Sequence, residues 1–427
     1  YALVFPCVDE GRTSVPAWAV VRTLIIAALF ACQFSAMGAG VEFREGDRVI
    51  FLGNTFAERL RNAGYFETLL LTRMPDKTLT FRNLGWSADE ITLQPRPMDF
   101  GEYAQHLTEQ GADVIFLFYG SNESFAGEAG LTDFQTNLRK FVDGLLSKQF
   151  NGESPPRLVL VSPIPQEQLG ALPDPKARNA QIAAYVSAMK TVADEKSIPF
   201  LNIFDGVLAL MKEAPDIKLT FNGVHLTEYG DWAVAQVMYR ELGAPIFAEN
   251  VQESKDRNGN AWRSTATSVG VESRPDFASF EFEFAAALAR LPQERAHPSL
   301  MKYQTTITKG GVPRDAEFDI VVDGASQGRV TGAELEKGVA LKSGSAVALF
   351  ETIRQDTIRK NRLFFDRWRA VNGFYIYGGR KEPFGVLSFP PEMKRFDELA
   401  NGIDADIQKL LYAPPPVKVE IIPVKEP

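Results

Sequence analysis

The chain has 427 residues, of which 45% are hydrophobic and 23% charged, and its formal net charge at pH 7 is −8. This length predicts two or three domains, each able to bury its own core. The acidic balance argues against a surface for nucleic acid or for an anionic membrane, because both need a basic patch. The composition therefore favours a globular protein with a neutral or small-molecule ligand.

The first 40 residues have the pattern of a leader. Arg22 precedes a short apolar stretch at 24–31, and small residues follow at 36–39, which is the order of a secretory signal peptide. The stretch is too short for a membrane-spanning helix, and a buried core helix is the alternative. The segment 29–32 matches a lipoprotein cleavage box poorly, so lipidation is the less favoured variant. We expect an exported mature protein, periplasmic or extracellular, with no membrane span.

The sequence carries no sign of a metal or a cofactor. Both cysteines, Cys7 and Cys32, lie in the predicted leader, so the mature protein would have no thiol for a disulfide, a metal or a nucleophile. Paired histidines, an Asp-rich loop with calcium spacing and a Gly-rich phosphate loop are also missing. We therefore expect neither a bound metal nor a cofactor.

The first half of the chain alternates predicted strands with predicted helices. Short apolar runs of the kind buried on both faces predict strands at 49–52, 79–82, 114–119, 158–161 and 198–203. Helical spacing of apolar residues predicts helices at 56–63, 134–146, 180–195 and 229–242. This alternation is typical of an α/β fold in which helices cover both faces of a parallel sheet.

The second half has a different pattern. The polar segment 251–265 predicts a linker or an exposed excursion. Alternating phenylalanines and glutamates near 280–284, and an apolar run at 317–322 before the turn Asp323-Gly324, predict a small antiparallel β unit. Helical spacing returns at 346–370 and 392–411, and prolines 414–416 begin an extended tail. The predicted domains are listed in chain order: leader 1–40, α/β domain 41–250, linker and β unit 251–345, helical region and tail 346–427.

Four short motifs follow the predicted strands or precede a predicted helix. They are Gly53-Asn54-Thr55, Asn83-Leu84-Gly85, Gly120-Ser121-Asn122 and Asn222-Gly223-Val224-His225. Ligands of open parallel sheets bind beyond the carboxyl ends of the strands, where such motifs meet. In this order, over about residues 46–245, they resemble the SGNH hydrolases, the GDSL family of esterases and lipases. The resemblance implies a three-layer, flavodoxin-like sheet and a site for acyl transfer.

The resemblance also implies a role for each motif residue. Thr55 stands at the position of the nucleophilic serine and His225 at that of the general base. Gly85 and Asn122, with the backbone N–H of residue 55, stand at the oxyanion donors, and Asn222 replaces the acid that orients the base. Threonine keeps a hydroxyl but adds a methyl group that restricts its rotamer. An amide offers no negative charge, and the equivalent change in a serine protease lowers kcat by about 10⁴.

Alternatives remain open for these residues. Thr55 with Glu58 three positions later also matches a capping box at a helix start. Another acid, namely Glu123, Glu228 or Asp231, could orient His225 instead of Asn222, as could a backbone carbonyl. The two other histidines, at positions 106 and 297, are interpreted as surface or structural residues.

The favoured function is ester hydrolysis of a small-molecule or glycan ester, with O-acetyl groups on carbohydrate as a candidate substrate. One alternative is a catalytically silent SGNH-fold module that holds a glycan or acyl group. Another is a structural partner in an envelope assembly that uses the C-terminal aromatics. The aromatics at 361–369 are predicted to pack an interface; sugar stacking would instead require Trp368, Tyr375 or Tyr377 on one exposed platform. The C-terminal half more loosely resembles accessory regions of planctomycete-type exported proteins.

Overall fold

The computed structural model describes most of the chain. The described residues are 40–96, 100–170, 172–243, 250–256, 259–264, 267–274, 277–283, 296–301, 306–309, 311–369, 389–412 and 416–424. The predicted leader up to residue 39, and Tyr375 and Tyr377, lie outside them. Among the helices within these ranges, none combines the length and apolarity needed to cross a membrane.

A parallel sheet of five strands organises the first half, which confirms the predicted α/β class. The strands are β1 Arg48–Gly53, β2 Thr80–Gly85, β3 Val114–Phe118, β4 Arg157–Val161 and β5 Phe200–Leu201. Their order is β2-β1-β3-β4-β5, so the chain reverses its direction of travel across the sheet at β1. Such a switch point opens a crevice at the carboxyl ends of the neighbouring strands. Gly53 pairs in register with Gly85 and Phe118, so three strand ends are flush there.

Helices cover both faces of this sheet. Their bounds are α1 Thr55–Ala63, α2 Tyr65–Arg73, α3 Tyr103–Gln110, α4 Leu131–Leu146, α5 Lys176–Lys196, α6 Ile203–Glu213 and α7 Glu228–Glu241. Alternate strand residues face opposite layers: Phe51 packs with α1, α2, α6 and α7, whereas Ile50 and Leu52 pack with α3, α4 and α5. Because both faces are buried, the strands are continuous apolar runs rather than alternating ones.

Helices α2 and α6 differ from the sequence-based prediction. Helix α2 was not predicted. The predicted strand 198–203 is wrong at its end, because only Phe200–Leu201 pairs as β5 and Ile203 begins α6. The physical reason is a helix cap: the Asn202 side chain accepts a hydrogen bond from the Asp205 N–H at 3.3 Å.

Antiparallel strands occupy the second half. Strands β6 Asn250–Asp256 and β7 Gly259–Ser264 form a hairpin in the segment for which the sequence predicts a linker or an exposed excursion. The hairpin belongs to a sheet of order β13-β10-β6-β7, whose other strands are β10 Thr306–Thr308 and β13 Val339–Ala340. The short helices α8 Pro298–Met301 and α9 Gly332–Lys337 lie between these strands in sequence.

The predicted antiparallel β unit is confirmed by a second sheet, of order β12-β11-β14-β9-β8. Its strands are β8 Thr267–Arg274, β9 Phe277–Glu283, β11 Glu317–Val322, β12 Ala325–Thr331 and β14 Val417–Pro423. Asp323 and Gly324 both have positive φ in the β11–β12 turn, as that dipeptide predicts. The extended tail is wrong for 417–423, because β14 pairs on both sides and buries Val419 and Ile421.

Helix α10, Ser345–Arg369, returns the chain to the first half, where it packs on β2, α1 and α2 and pairs with α11, Phe389–Tyr412. Phe364 and Trp368 are buried in the core beside α3, which confirms the packing role predicted for these aromatics.

A buried ion pair fixes α10 to α2. Lys360 is fully buried and pairs with Glu67, and it also donates to the Phe81 carbonyl at 3.1 Å. Asn361 donates to the second Glu67 oxygen at 2.8 Å. Asp404 of α11 lies 3.8 Å from the Lys360 ammonium, which adds the second helix to the network. Burial is the main influence on the pKa of Glu67 and raises it, so this carboxyl depends on its partners to stay charged.

We expect Lys360→Met to lower the free energy of unfolding by about 3–5 kcal/mol, because it leaves the Glu67 carboxyl buried without its partner. The double variant Glu67→Gln/Lys360→Met should lose much less, since it removes both charges. Urea unfolding measures both. Lys409→Met, which breaks an exposed pair on α11, is the control and should change little. Equal losses in the single and double variants would show that the ion pair is not the stabilising element.

Candidate active site

A cavity of about 620 Å³ opens at the carboxyl ends of the parallel strands. It brings together three of the predicted site residues, Thr55, Asn122 and His225. Asn222 and Gly85 are not among its lining residues. Helix α10 contributes part of the wall through Arg354, Gln355 and Ile358, and Asp231 of α7 lines it as well. The C-terminal region therefore takes part in the site.

Thr55 is the first residue of α1 and does not cap it. The N-cap is Asn54, whose Oδ1 accepts the Phe56 N–H at 3.0 Å, so the alternative in which Thr55 caps the helix is wrong. The Thr55 hydroxyl instead accepts the Ala88 N–H at 3.0 Å. The Thr55 N–H belongs to the first turn of the helix, where amides have no partner within the helix. Both features suit a residue at which a substrate carbonyl is held.

Gly85 has a structural role in addition to its predicted place in the oxyanion hole, which stays a prediction. Its N–H donates to Asn83 Oδ1 at 2.9 Å in this structure. The Asn83 amide in turn donates to the Ala57 carbonyl at 2.7 Å. A Cβ at Gly85 would lie 2.3 Å from the Glu58 nitrogen. Glycine is required here because β2 and α1 approach at backbone contact.

Ala88 makes a backbone contact with Thr55 that sequence analysis did not predict. Its φ of 66° is in the left-handed region, which disfavours residues with a Cβ by about 1–2 kcal/mol. This conformation accompanies the N–H contact with the Thr55 hydroxyl. Alanine has no side-chain chemistry, so only its place in the short loop after β2 could have pointed to it.

The loops after β2 and β3 are tied to each other. Asp89, which is buried, forms a two-point ion pair with Arg96 at 2.7 and 2.5 Å. The Asn122 amide lies 3.4 Å from the Asp89 carbonyl. Glu123 accepts the N–H groups of Ile91 and Gly120 at 3.1 and 2.8 Å. These contacts hold Ala88 and Asn122 at the same edge of the sheet.

His225 contacts Asn222, as the motif predicts, but with the opposite polarity to a carboxylate. Asn222 Oδ1 accepts the N–H groups of Val224 and His225 at 3.2 and 2.8 Å. These two bonds fix the orientation of the amide, so its NH₂ group lies 2.9 Å from His225 Nδ1. An NH₂ group can only donate, and Nδ1 must therefore accept. The proton of the neutral ring then lies on Nε2, the nitrogen that a general base needs free.

The surroundings of His225 also disfavour its cation. Burial lowers the pKa of the imidazole, and the nearby Arg59 guanidinium lowers it further. Arg59 and His225 lie on the ring of Phe221, with a 5.5 Å distance from the guanidinium to the ring centre and 5.8 Å between ring centres. An ion pair between His225 and a carboxylate does not occur within the described ranges. The ring is therefore neutral at pH 7, and no carboxylate of the described residues stabilises its cation.

The three acids considered as substitutes for Asn222 have other partners. Glu123 holds backbone amides, and burial raises its pKa to about 7. Glu228 pairs with Arg354 at 3.3 Å. Asp231 is buried, which raises its pKa to about 8, and one of its oxygens has no hydrogen-bond partner in the described part of the chain. None of the three hydrogen-bonds His225, so the substitute-acid alternative does not fit these described residues.

The other histidines are structural. His106 is buried and contacts the Phe100 carbonyl at 3.1 Å, and His297 is buried against the Tyr229 hydroxyl at 2.6 Å. A search of the described ranges finds no cluster of His, Cys, Asp and Glu suited to a metal ion. The predicted site residues that line the cavity thus supply a hydroxyl, an imidazole and a side-chain amide.

Substitutions at Gly85 and Ala88 distinguish a glycine required by close packing from a residue that only adopts a positive φ. Gly85→Ala should lower the free energy of unfolding by about 1–3 kcal/mol or more, because the new methyl group meets the backbone of α1. Ala88→Gly should cause no such loss, since glycine tolerates positive φ. Thermal or urea unfolding of the two variants measures both effects. A stable Gly85→Ala variant would contradict the packing role.

The tautomer of His225 can be observed directly. Nitrogen-15 NMR of the imidazole should show the Nε2–H form in the wild type and the Nδ1–H form in Asn222→Asp, because a carboxylate at 222 can only accept. The same substitution should raise the His225 pKa, and the wild-type pKa should lie below 6.5. An Nδ1–H ring in the wild type would contradict the amide orientation.

Comparisons with known proteins concern the family and the fold of the chain. A model of the GDSL-like lipase/acylhydrolase family matches residues 46–233. A comparison with curated protein sequences found no match.

Three solved structures are similar to this chain, and the first of them shares its fold. A gut microbial diltiazem-metabolizing enzyme is 15% identical, with a TM-score of 0.68 over 91% of this chain and 100% of its own. A catalytic mutant of an acetylxylan esterase from Geobacillus stearothermophilus is 17% identical (TM-score 0.38, 48% of this chain and 98% of its own). Another acetyl xylan esterase is 21% identical (TM-score 0.35, 45% and 98%). Residues 46–233 of this chain form a domain of the GDSL-like lipase/acylhydrolase family, the SGNH hydrolases.

Proposed function

We propose that the protein is an ester hydrolase that uses Thr55 as nucleophile and is slow at neutral pH. The observation that carries this proposal is that Thr55, whose hydroxyl accepts the Ala88 N–H, lines the same cavity as Asn122 and His225. An ester bound here would place its carbonyl carbon near the Thr55 hydroxyl and its carbonyl oxygen near the amide donors. Retained donors are the part of such a site that stabilises developing negative charge.

In the proposed reaction the Thr55 oxygen bonds to the carbonyl carbon and passes its proton to His225. The carbonyl oxygen becomes an oxyanion that the Thr55 N–H and the Asn122 amide stabilise, together with the Ala88 N–H once its bond to the Thr55 hydroxyl is released. The alcohol leaves with the proton from His225, and water, activated by the same ring, releases the acid from Thr55. His225 must first shift its ring proton from Nε2 to Nδ1 and lose its bond to the Asn222 amide, which accounts for a slow rate.

The proposed substrate is a small-molecule or glycan ester, with an acetyl group on carbohydrate as the first candidate. A cavity of about 620 Å³ is within the range of small-ligand sites and is larger than an acetyl group needs. The remaining volume suits the alcohol part of an ester. Export through a leader would bring the protein to such substrates outside the cytoplasm.

The second candidate is a catalytically silent module that binds an acyl or glycan group. The contact between Asn222 and His225 favours it, because the base is held in the unproductive tautomer. In that case the amide donors bind a carbonyl but no covalent step follows.

An esterase assay with 4-nitrophenyl acetate distinguishes the two candidates. We expect a low wild-type rate that falls to background in Thr55→Ala and in His225→Ala. Asn222→Asp should raise the rate, by up to about 10⁴, because it restores the acceptor that orients the base. Ser87→Ala, which changes a hydroxyl bonded to Glu58 outside the cavity lining, is a matched control and should retain the wild-type rate. Equal rates in the wild type and both alanine variants, without a gain in Asn222→Asp, would leave only the binding function.

A further inference from the structure

The charges that line the cavity do not balance. The lining includes three arginines, Arg59, Arg178 and Arg354, and two acids, Glu228 and Asp231. Arg354 is neutralised, since it pairs with Glu228 at 3.3 Å and with Glu351 of its own helix at 2.7 Å. Asp231 is buried, and its carboxyl is mostly protonated at neutral pH because its pKa is raised to about 8. Among the described residues, two cationic side chains of the lining form no ion pair, in a protein whose net charge is −8.

Arg59 is the less engaged of the two. Within the described residues it forms no ion pair and no hydrogen bond, and its guanidinium lies 5.5 Å from the ring centre of Phe221. It lies close enough to His225 and to Asp231 to lower the pKa of both. Arg59 is therefore a half-buried cation next to the base.

Arg178 is held but not neutralised. It donates to the Ser121 carbonyl at 2.8 Å and lies 3.7 Å from the ring centre of Phe125. Burial lowers the pKa of its guanidinium, and no carboxylate in the described ranges pairs with it. Its charge adds to the positive potential of the cavity, while its position is fixed by neutral groups.

We infer that the cavity selects esters that carry a carboxylate, and that Arg59 is the group that binds this carboxylate. A guanidinium matches a carboxylate with two parallel hydrogen bonds, which are among the stronger polar contacts in proteins. Asp231, which is mostly neutral at pH 7, lies in the same cavity wall and does not repel a carboxylate. An acidic sugar that carries an acetyl group is a ligand of this class and size.

This inference rests on the proposed function for turnover and extends it in one respect. A bound carboxylate would offset Arg59, which lowers the pKa of His225. The substrate would then supply part of the negative charge that Asn222 lacks. The contact between Arg59 and the substrate carboxylate would therefore both select anionic esters and raise the pKa of His225.

Binding of sugars that are not esters tests the inference without any turnover. Isothermal titration at low salt compares methyl glucuronide, which carries a carboxylate, with methyl glucoside, which does not. We expect the wild type to bind the glucuronide roughly 10- to 100-fold more tightly, the range typical of a charge-assisted hydrogen bond. Arg59→Gln should remove most of this preference, and Arg59→Lys should retain part of it. Arg178→Gln should reduce it less, because only the general potential falls.

The exposed Arg314, which faces Glu336 at 3.6 Å, provides the control: Arg314→Gln should leave the preference unchanged. Added salt should weaken the binding of methyl glucuronide but not that of methyl glucoside. Equal affinities for the two sugars in the wild type would overturn the inference, as would a preference that survives in Arg59→Gln. Because neither sugar is an ester, glucuronide preference without any esterase rate would reject the proposed hydrolysis and leave the anion site standing.

The pH dependence has a defined sign. Asp231 faces Arg59, Arg354 and Glu228, and it is neutral below about pH 8. Its ionisation above that value adds a negative charge beside Arg59, so glucuronide affinity should fall above about pH 8. Asp231→Asn should remove this fall, while His225 stays neutral throughout because its pKa lies below its usual value. A fall of equal size in Asp231→Asn would exclude Asp231 as its cause.

Discussion

The buried pair of Lys360 and Glu67 is the constraint on which the assembled site depends. It joins α10 to α2 in the interior, where a charge can remain only with its partner in place. Once α10 is fixed by this pair, the same helix places Arg354 and Gln355 in the cavity wall two turns earlier in sequence. Arg354 in turn neutralises Glu228, so the charge balance of the cavity is set by a helix from the far end of the chain.

The edge of the sheet is organised by backbone geometry rather than by side-chain reactivity. Gly85 lets β2 approach α1 closely enough that the following loop can return toward Thr55. Ala88 adopts a disfavoured φ, and in this conformation its N–H donates to the Thr55 hydroxyl. The contact between Asn122 and the Asp89 carbonyl ties that loop to the one after β3. Strain at one residue is tolerated because the residues on either side are fixed.

Sequence analysis could locate the sheet and three site residues because their signals are local. Apolar runs mark strands buried on both faces, and Thr55, Asn122 and His225 follow strands or precede a helix, so topology brings them together. Ala88 was missed because its function lies in its backbone. The tail at 417–423 was misjudged because its strand pairs with β9 and β11, far away in sequence. The role of Arg354 likewise depends on long-range packing that no local pattern encodes.

Asn222 shows that shape and charge at a site are separable. Its oxygen accepts the two backbone N–H groups that form the turn before His225, a role that an aspartate oxygen would fill equally well. The loop therefore keeps its form, and only the group facing Nδ1 changes from an acceptor to a donor. The same replacement removes a negative charge beside His225 and leaves Arg59 without an acid there. In the proposed function, such a site has a weaker base and a more positive cavity, so its chemistry and its ligand preference change together.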